Sequence, residues 1–316
     1  MSESERFTPL KRMKSLTKNM RVKLESDGIR TVEALLYRSE DLKSIFEDLD
    51  KYDIAEIMIE GLRLKNRWFI SADEWGKNVE SQKQIFKTGC KALDEILGGG
   101  VYSMNVCEFF GEFGSGKSQI LNTLLVIALN DRPDATAVYL DCENTFSGKR
   151  LVEIAKNRGY NVEDVMKRVI HIRATSSEIL EEIIRRLYTA IEGRNTQLVV
   201  CDSLISHLRA EYYGREMLAE RQYVLKRMLR KLQDLADLYN IGVAISNQVV
   251  AVPTQTFTPF GGFKATGGHI MAHGTEPRVF VRKGEKNRRI ARIWDSSWLP
   301  PAEAVFQITG KGIEDV

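Results

Sequence analysis

The chain has 316 residues, 43% of them hydrophobic, and a formal net charge of +3 at pH 7. That length and apolar content suit one large domain plus a small appendage and exclude an intrinsically disordered chain. The near balance of charge does not by itself mark a nucleic-acid binder. The start MSESERFTPLKRMK has no apolar segment of the signal type, and no run approaches eighteen uninterrupted apolar residues, so neither secretion nor a membrane span is expected. Cys90, Cys107, Cys142 and Cys201 stand alone, without a C-x-x-C pair, which suits a reducing cytosol.

In chain order, residues 1–66 are expected to form a small all-α domain. Val22, Leu24, Ile29, Val32, Leu35 and Leu36, then Leu42, Ile45, Phe46 and Leu49, then Ile54, Ile57, Met58 and Leu62 recur at helical spacing. The break at SDGIR marks a turn with Gly28 as a C-terminal cap. Residues 67–80 read as a linker, in which Phe69 and Ala72 of FISA stand out from polar surroundings. Burial within the chain's own core would be the plain explanation of that pair.

From residue 81 onward short β-rich runs alternate with amphipathic helices, the pattern of an α/β domain with a mixed, mostly parallel sheet. The expected strands are MNVCEFF (104–110), TAVYLD (136–141), RVIHIRA (168–174), QLVVCD (197–202) and IGVAISN (241–247). After residue 278 the connections shorten, and RVFVRK, RRIARIW and AVFQIT read as antiparallel strands. Residues 278–292 hold Arg278, Arg282, Lys283, Lys286, Arg288, Arg289 and Arg292 against Glu285 alone, either a solvated hairpin or a surface for a polyanion.

GEFGSGKS, Gly111 to Ser118, matches G-x-x-x-x-G-K-[ST] between an apolar strand and an amphipathic helix. Glycines let the backbone wrap a phosphate, and the following helix adds its positive end. Gly111, Glu112, Phe113, Gly114, Ser115, Gly116, Lys117, Ser118 and Gln119 are therefore expected to hold ATP, with Lys117 on the β and γ phosphates and Ser118 on Mg²⁺. Asp202, ending LVVCD, is the expected second magnesium-side group. Glu143, just beyond AVYLD, and Gln248, ending AISNQ, are candidates to orient the attacking water and to sense the same phosphate, roles that spacing alone does not fix.

Two segments leave the sheet near these residues: HLRAEYYGREML (207–218) after Asp202, and VVAVPTQTFTPFGGFKATGG (249–268) after Gln248. Both read as irregular, and long irregular loops are usually functional. Arg209, Tyr212, Arg215, Phe257, Phe263, Lys264, Gly267 and Gly268 lie in them, and basic groups interleaved with aromatics suit a nucleic-acid backbone and its bases. HIMAH puts His269 and His273 at metal-helix spacing, but Ile270 occupies the place of the general-base Glu of H-E-x-x-H, which weighs against a metalloprotease.

From about Phe69 to Val316 the chain resembles the RadA branch of the RecA-type DNA recombinases, as found in archaea. The resemblance rests on GEFGSGKSQI, YLDCENTF, VVCDSLISHLRAEYYGREMLAERQ, LYNIGVAISNQV, GGHIMAH, RVFVRKG, RRIARIWDSSWLP and EAVFQITGKGIED. It implies a RecA-like ATPase core over residues 81–316 and a nucleoprotein filament that catalyses homologous pairing and strand exchange on single- and double-stranded DNA. It also implies a cytoplasmic, nucleoid-associated protein. Carried over residue by residue, it makes Glu143 the water-activating carboxylate, Arg150 an adenine neighbour and Gln248 the coupling residue. Residues 207–218 and 249–268 become the two DNA loops. Asp295 and Pro300 of DSSWLP belong to a cap that one subunit places over its neighbour's nucleotide. Phe69 and Ala72 become the polymerisation motif F-x-x-A, added as an edge strand to the next subunit.

The chain also departs from that pattern. KSLTKN and FEDLDK lack the glycines of the family's DNA-binding hairpins, SGKR keeps only the last residue of R-P-E-R, Pro301 follows the cap, Ile172 replaces a small residue of the F-x-x-A pocket, and GRE replaces GRG at 214–216. These departures keep a second reading open, a paralogue or mediator that binds ATP and single-stranded DNA and modulates a principal recombinase. A ring helicase on the same fold is weaker, lacking FISA and the paired loops.

Overall fold

The computed structural model of the protein describes residues 6–251 and 263–316. It divides into two compact units, residues 1–83 with 185–193, and residues 84–184 with 194–316.

In the first unit, α1 (Lys18–Ser26), α2 (Val32–Tyr37), α3 (Leu42–Ile45), α4 (Lys51–Leu64) and α5 (Ala72–Asn78) follow one another. Four of the five starts are set by a side chain that accepts an orphan backbone N–H, α3 being the exception: Thr17 from Met20, Thr31 from Ala34, and Asp50 and Ser71 in full capping boxes. Gly28, at φ 82°, ends α1, and the Ile29 N–H returns 2.9 Å to the Leu24 carbonyl. FEDLDK is the connection between α3 and α4, closed by the Asp50 cap rather than by a glycine turn. In KSLTKN the backbone N–H groups of Lys14 and Ser15 donate to the Glu60 carboxylate at 2.7 and 2.9 Å. A carboxylate of the chain itself thus takes the donors that a glycine hairpin would offer to a phosphate. The linker departs from expectation, for it is helical from Ala72 onward.

The second unit carries, in order, β1 (Ile85–Phe86), α6 (Lys91–Ile96), β2 (Val101–Tyr102), β3 (Val106–Gly111), α7 (Lys117–Asp131), β4 (Thr136–Asp141), α8 (Gly148–Asn157), α9 (Val162–Lys167), β5 (Val169–Arg173), α10 (Ser177–Arg194), β6 (Thr196–Asp202), α11 (Ser206–Glu211), α12 (Leu218–Tyr239), β7 (Gly242–Ala251), β8 (Phe263–Ala265), α13 (Gly268–Gly274), β9 (Arg278–Lys283), β10 (Arg288–Asp295), β11 (Glu303–Thr309) and β12 (Gly312–Asp315). Ten of these strands form one sheet in the order β12-β11-β10-β9-β3-β7-β6-β4-β5, with β8 paired to β7. The segment from β9 through β3, β7, β6 and β4 to β5 is parallel, and β9 to β12 are antiparallel neighbours. β1 and β2 pair separately.

The parallel strands read as continuous apolar runs because both their faces are covered. β3 is buried at all six positions. α7 sinks Ile120, Leu121, Leu124, Leu125 and Leu129 into the core, each burial stabilising by about 1.5–3 kcal/mol. β5 is different: among the described strands it pairs with β4 alone, and it is half-exposed along its length, an open edge. No described helix is long and apolar enough to cross a membrane.

Two expectations of irregular structure need correction. Residues 206–211 form α11, and the ends of the second segment are strand, since β7 continues to Ala251 and pairs antiparallel with β8 through Val249↔Ala265 and Ala251↔Phe263. Both pairings are non-local, and neither segment has an apolar period that announces them.

Candidate nucleotide and nucleic-acid site

The carboxyl ends of β3, β7, β6 and β4 lie side by side, with Gly111 opposite Gln248 and Asp141 opposite Asp202 in register. In an open parallel sheet this edge is where ligands bind. Beyond β3 the backbone turns through Gly114 (φ 73°) and Gly116 (φ 109°), left-handed conformations that favour glycine. A Cβ on Gly111 would stand 1.9 Å from the Val281 carbonyl oxygen, so the start of the loop tolerates no side chain. α7 then begins at Lys117, aiming its first N–H groups into the loop.

Most of the residues expected to hold phosphate and metal line one cavity of about 260 Å³, Lys117, Ser118, Gln119, Glu143, Asp202 and Gln248 among them, while Gly111, Glu112 and Ser115 lie outside its lining. Lys117 Nζ is buried and donates to the Gly111 and Glu112 carbonyls at 2.9 and 2.8 Å. Burial lowers its pKa, opposed by the nearby Asp202, Glu143 and Glu112 carboxylates. Ser115 Oγ is buried with no hydrogen-bond partner among the described residues, a polar atom open to a further partner. The glycine-built cradle, its amide donors and this orphaned hydroxyl fit a nucleotide triphosphate. Ser118 with the single carboxylate Asp202 fits Mg²⁺, which takes one or two carboxylates and completes its shell with phosphate and water.

Asp202 is held by Tyr139 Oη, 3.1 Å from Oδ2, and by a short bond from Ser246 Oγ to Oδ1. Burial, and next the Asp202 carboxylate, raise the Tyr139 phenol far above its usual range, so the hydroxyl stays a donor. Glu143 is presented by a turn folded around the buried Asp141, which accepts from the backbone N–H groups of Glu143, Thr145 and Phe146 at 3.3, 3.1 and 3.4 Å. One oxygen of Glu143 accepts from Ser203 Oγ at 2.6 Å and from Gln248 Nε2 at 2.9 Å. The other end of that amide accepts from Arg209 Nη1 at 3.0 Å. Ser203, Glu143, Gln248 and Arg209 thus form one hydrogen-bonded path from the cavity to α11.

The remaining expected residues fall as follows. Arg150 donates to Gln119 Oε1 at 2.8 Å and to the Thr309 carbonyl at 2.6 Å, beside the start of α7. Asp295 ends β10 and Pro300 follows it; neither lines the cavity of its own chain. Tyr212 and Arg215 follow α11 on an exposed turn, with Tyr213 84% exposed beside them. Glu216 folds over Gly214, whose added Cβ would lie 2.2 Å from its carboxylate oxygen. Gly267 and Gly268 open α13 with positive φ. Phe257 lies outside the described residues, and Phe263 and Lys264 are placed as backbone of β8. Phe69 is 92% exposed and Ala72 is exposed at the first turn of α5, so burial in the chain's own core is not the reason for FISA.

Sequence reasoning missed Ser203, Ser246, Tyr139 and Asp141, which hold the carboxylates. One signal was available, for β4 and β6 both end in Asp. It also read Arg278 with the solvated basic run, whereas the residue is buried and bonded to Glu108.

A model of the Rad51 family matches residues 81–316. The chain belongs to the Rad51 family. Along 232 residues, 72% of each chain, it is 43% identical to a DNA repair and recombination protein RadA of Aeropyrum pernix. Over 326 aligned positions, 99% of this chain and 98% of the relative, it is 37% identical to a DNA repair and recombination protein RadA of Ignicoccus hospitalis. The family match spans the P-loop, the cavity carboxylates, both segments that leave the sheet and the DSSWLP turn, and the second alignment extends the likeness over the helical unit.

Proposed function

We propose that the protein is an ATP-dependent DNA recombinase, which binds single-stranded DNA, assembles on it as a filament and pairs it with homologous duplex in recombinational repair in the cytoplasm. The observation that carries this reading is the path from Ser203 through Glu143 and Gln248 to Arg209, because it ties a phosphate-binding cavity to the segment expected to grip DNA. Likeness to RadA proteins over essentially the whole chain supports a principal recombinase rather than a mediator.

Bound ATP with Mg²⁺ supplies the free energy of a phosphoanhydride bond and a concentrated charge at the mouth of the cradle. Residues 111–119 hold the phosphates through backbone N–H groups, Lys117 neutralises them, and Ser118 and Asp202 hold the metal. Glu143 orients a water and accepts its proton. Gln248, bonded to that same carboxylate, reports its state to Arg209. Arg150 borders the base. Asp295 and Pro300, which do not line their own chain's cavity, cap that of a neighbouring copy. Arg209, Tyr212, Arg215, Phe257, Phe263, Lys264, Gly267 and Gly268 form the DNA-facing surface. Phe69 and Ala72 add to the open β5 edge of the next copy, beside Ile172.

Glu143→Gln is the test. The variant keeps its bonds to Ser203 and Gln248 but loses the base. Hydrolysis stimulated by single-stranded DNA should fall by about 10²–10⁴-fold while nucleotide and DNA binding persist. Wild-type protein whose hydrolysis ignores single-stranded DNA, or a variant that hydrolyses at the wild-type rate, overturns the proposal.

A further inference from the structure

β7 is gripped on both faces at three consecutive positions. Ser246 and Gln248 face the cavity and bond Asp202 and Glu143, as period-two alternation requires. Asn247 faces the other way, into a buried polar cluster. Its Nδ2 donates to Glu108 Oε1 at 2.7 Å and to the Thr266 carbonyl at 2.8 Å, and its Oδ1 accepts the Gln248 N–H at 2.7 Å. Glu108, on β3 three residues before the P-loop, accepts further from Arg278 Nε at 2.6 Å and Thr275 Oγ1 at 2.9 Å. Asn247 and Glu108 are fully buried and Arg278 nearly so. Thr266, at the chain's return from β8, also donates its N–H to the Gln248 carbonyl at 3.0 Å.

We infer that Asn247 is a positioning residue that locks the Gln248 backbone to the return of the second DNA-facing segment, with Glu108 as the fixed charge against which both are held. This rests on the recombinase reading above. The physical reason is economy of donors. Asn247 has two amide hydrogens and uses both, one on a carboxylate anchored by Arg278 and one on Thr266. A displacement of Gln248 on the cavity face therefore cannot occur without straining charge-assisted bonds on the opposite face, and the element attached to those bonds is the exit of residues 249–265. Buried networks satisfied in this way transmit position because breaking any one bond leaves a desolvated polar atom. Arg209 couples the cavity to the first segment; Asn247 couples it to the second.

The experiment compares basal and DNA-stimulated ATP hydrolysis of the full chain with hydrogen exchange in peptides covering 247–251 and 263–268. Asn247→Ala should lower the ratio of stimulated to basal turnover by about tenfold with the KM for ATP held, and should raise exchange in both peptides. Asn247→Asp places a carboxyl between Glu108 and the Thr266 carbonyl, with Arg278 the opposing charge. Repulsion raises the pKa of that carboxyl, and its neutral form, populated as pH falls, regains one donor. The stimulation ratio of this variant should therefore recover toward lower pH while that of Asn247→Ala does not. Thr275→Val removes a donor to Glu108 without touching Gln248 or Thr266 and should keep the ratio while lowering stability. Basal and stimulated rates falling together in Asn247→Ala, or exchange unchanged in both peptides, overturns the inference. If wild-type hydrolysis shows no response to DNA, the recombinase reading fails and the exchange result alone decides the role of Asn247.

Discussion

Phe69→Ala separates a residue that holds one chain together from a residue that joins two. In one chain Phe69 is 92% exposed, its ring touching that of Trp68 edge-on at 4.8 Å. Truncation therefore removes almost no buried apolar area, and stability should change by no more than about 0.5 kcal/mol, a shift in melting temperature within about 2 °C. If the ring instead fills a pocket on a second copy, its loss costs that contact about 2–4 kcal/mol. At 1.4 kcal/mol per decade, association weakens by roughly 30- to 1,000-fold. The backbone cancels in this comparison, since φ 44° at position 69 is a left-handed conformation that costs Phe and Ala alike about 1–2 kcal/mol. Thermal melting and sedimentation velocity with ATP and single-stranded DNA measure both quantities on the same samples. Intact assembly by the variant, or a fall of several degrees in melting with assembly preserved, would refute the reasoning.

Two further outcomes follow from the geometry. Gly111→Ala drives a Cβ into the Val281 carbonyl at 1.9 Å; because the obstacle is backbone, β3 and β9 must separate locally, destabilising by about 3 kcal/mol or more in chemical denaturation and abolishing nucleotide binding, and a variant of wild-type stability would contradict the placement. Burial pushes the Cys90 thiol up to about 12 and raises Cys107 further, while Cys201 is raised by its hydrogen bond with Cys142 and by burial. At pH 8 these three should resist alkylation in the native protein and react on unfolding, read by mass spectrometry; native labelling at the rate of a free thiol would show that the segments bearing them open.

What the sequence disclosed, and what it withheld, divides along locality. The P-loop was legible because strand, glycine spacing and helix are contiguous, and Gly28 because a cap is a local event. The antiparallel run from β9 to β11 was legible from short connections. The approach of Glu143 to Gln248 was not, since β4 lies beyond β6 from β7, and strand order is a tertiary outcome that no window of residues contains. β8 escaped because three residues acquire strand character only by pairing with β7. α5 was hidden by its polar composition, although the capping box Ser71 to Glu74 was there to be read. Arg278 was counted among solvated cations because charge is visible in sequence and the partner that buries it, Glu108, stands 170 residues away.

The open edge of β5 has a consequence for growth and arrest. If, as proposed, residues 69–72 of one copy add to the β5 edge of the next, tail and edge are unlike surfaces, and repeating that contact stacks copies head to tail into an open polymer wherever the rotation does not close a ring. Such a polymer has two unlike ends, one offering vacant edge and the other an unspent tail. A copy with a defective tail but a sound edge still accepts an incoming tail while offering none of its own. Small fractions of it would therefore terminate chains at one end only, and average length would fall much faster than its mole fraction rises.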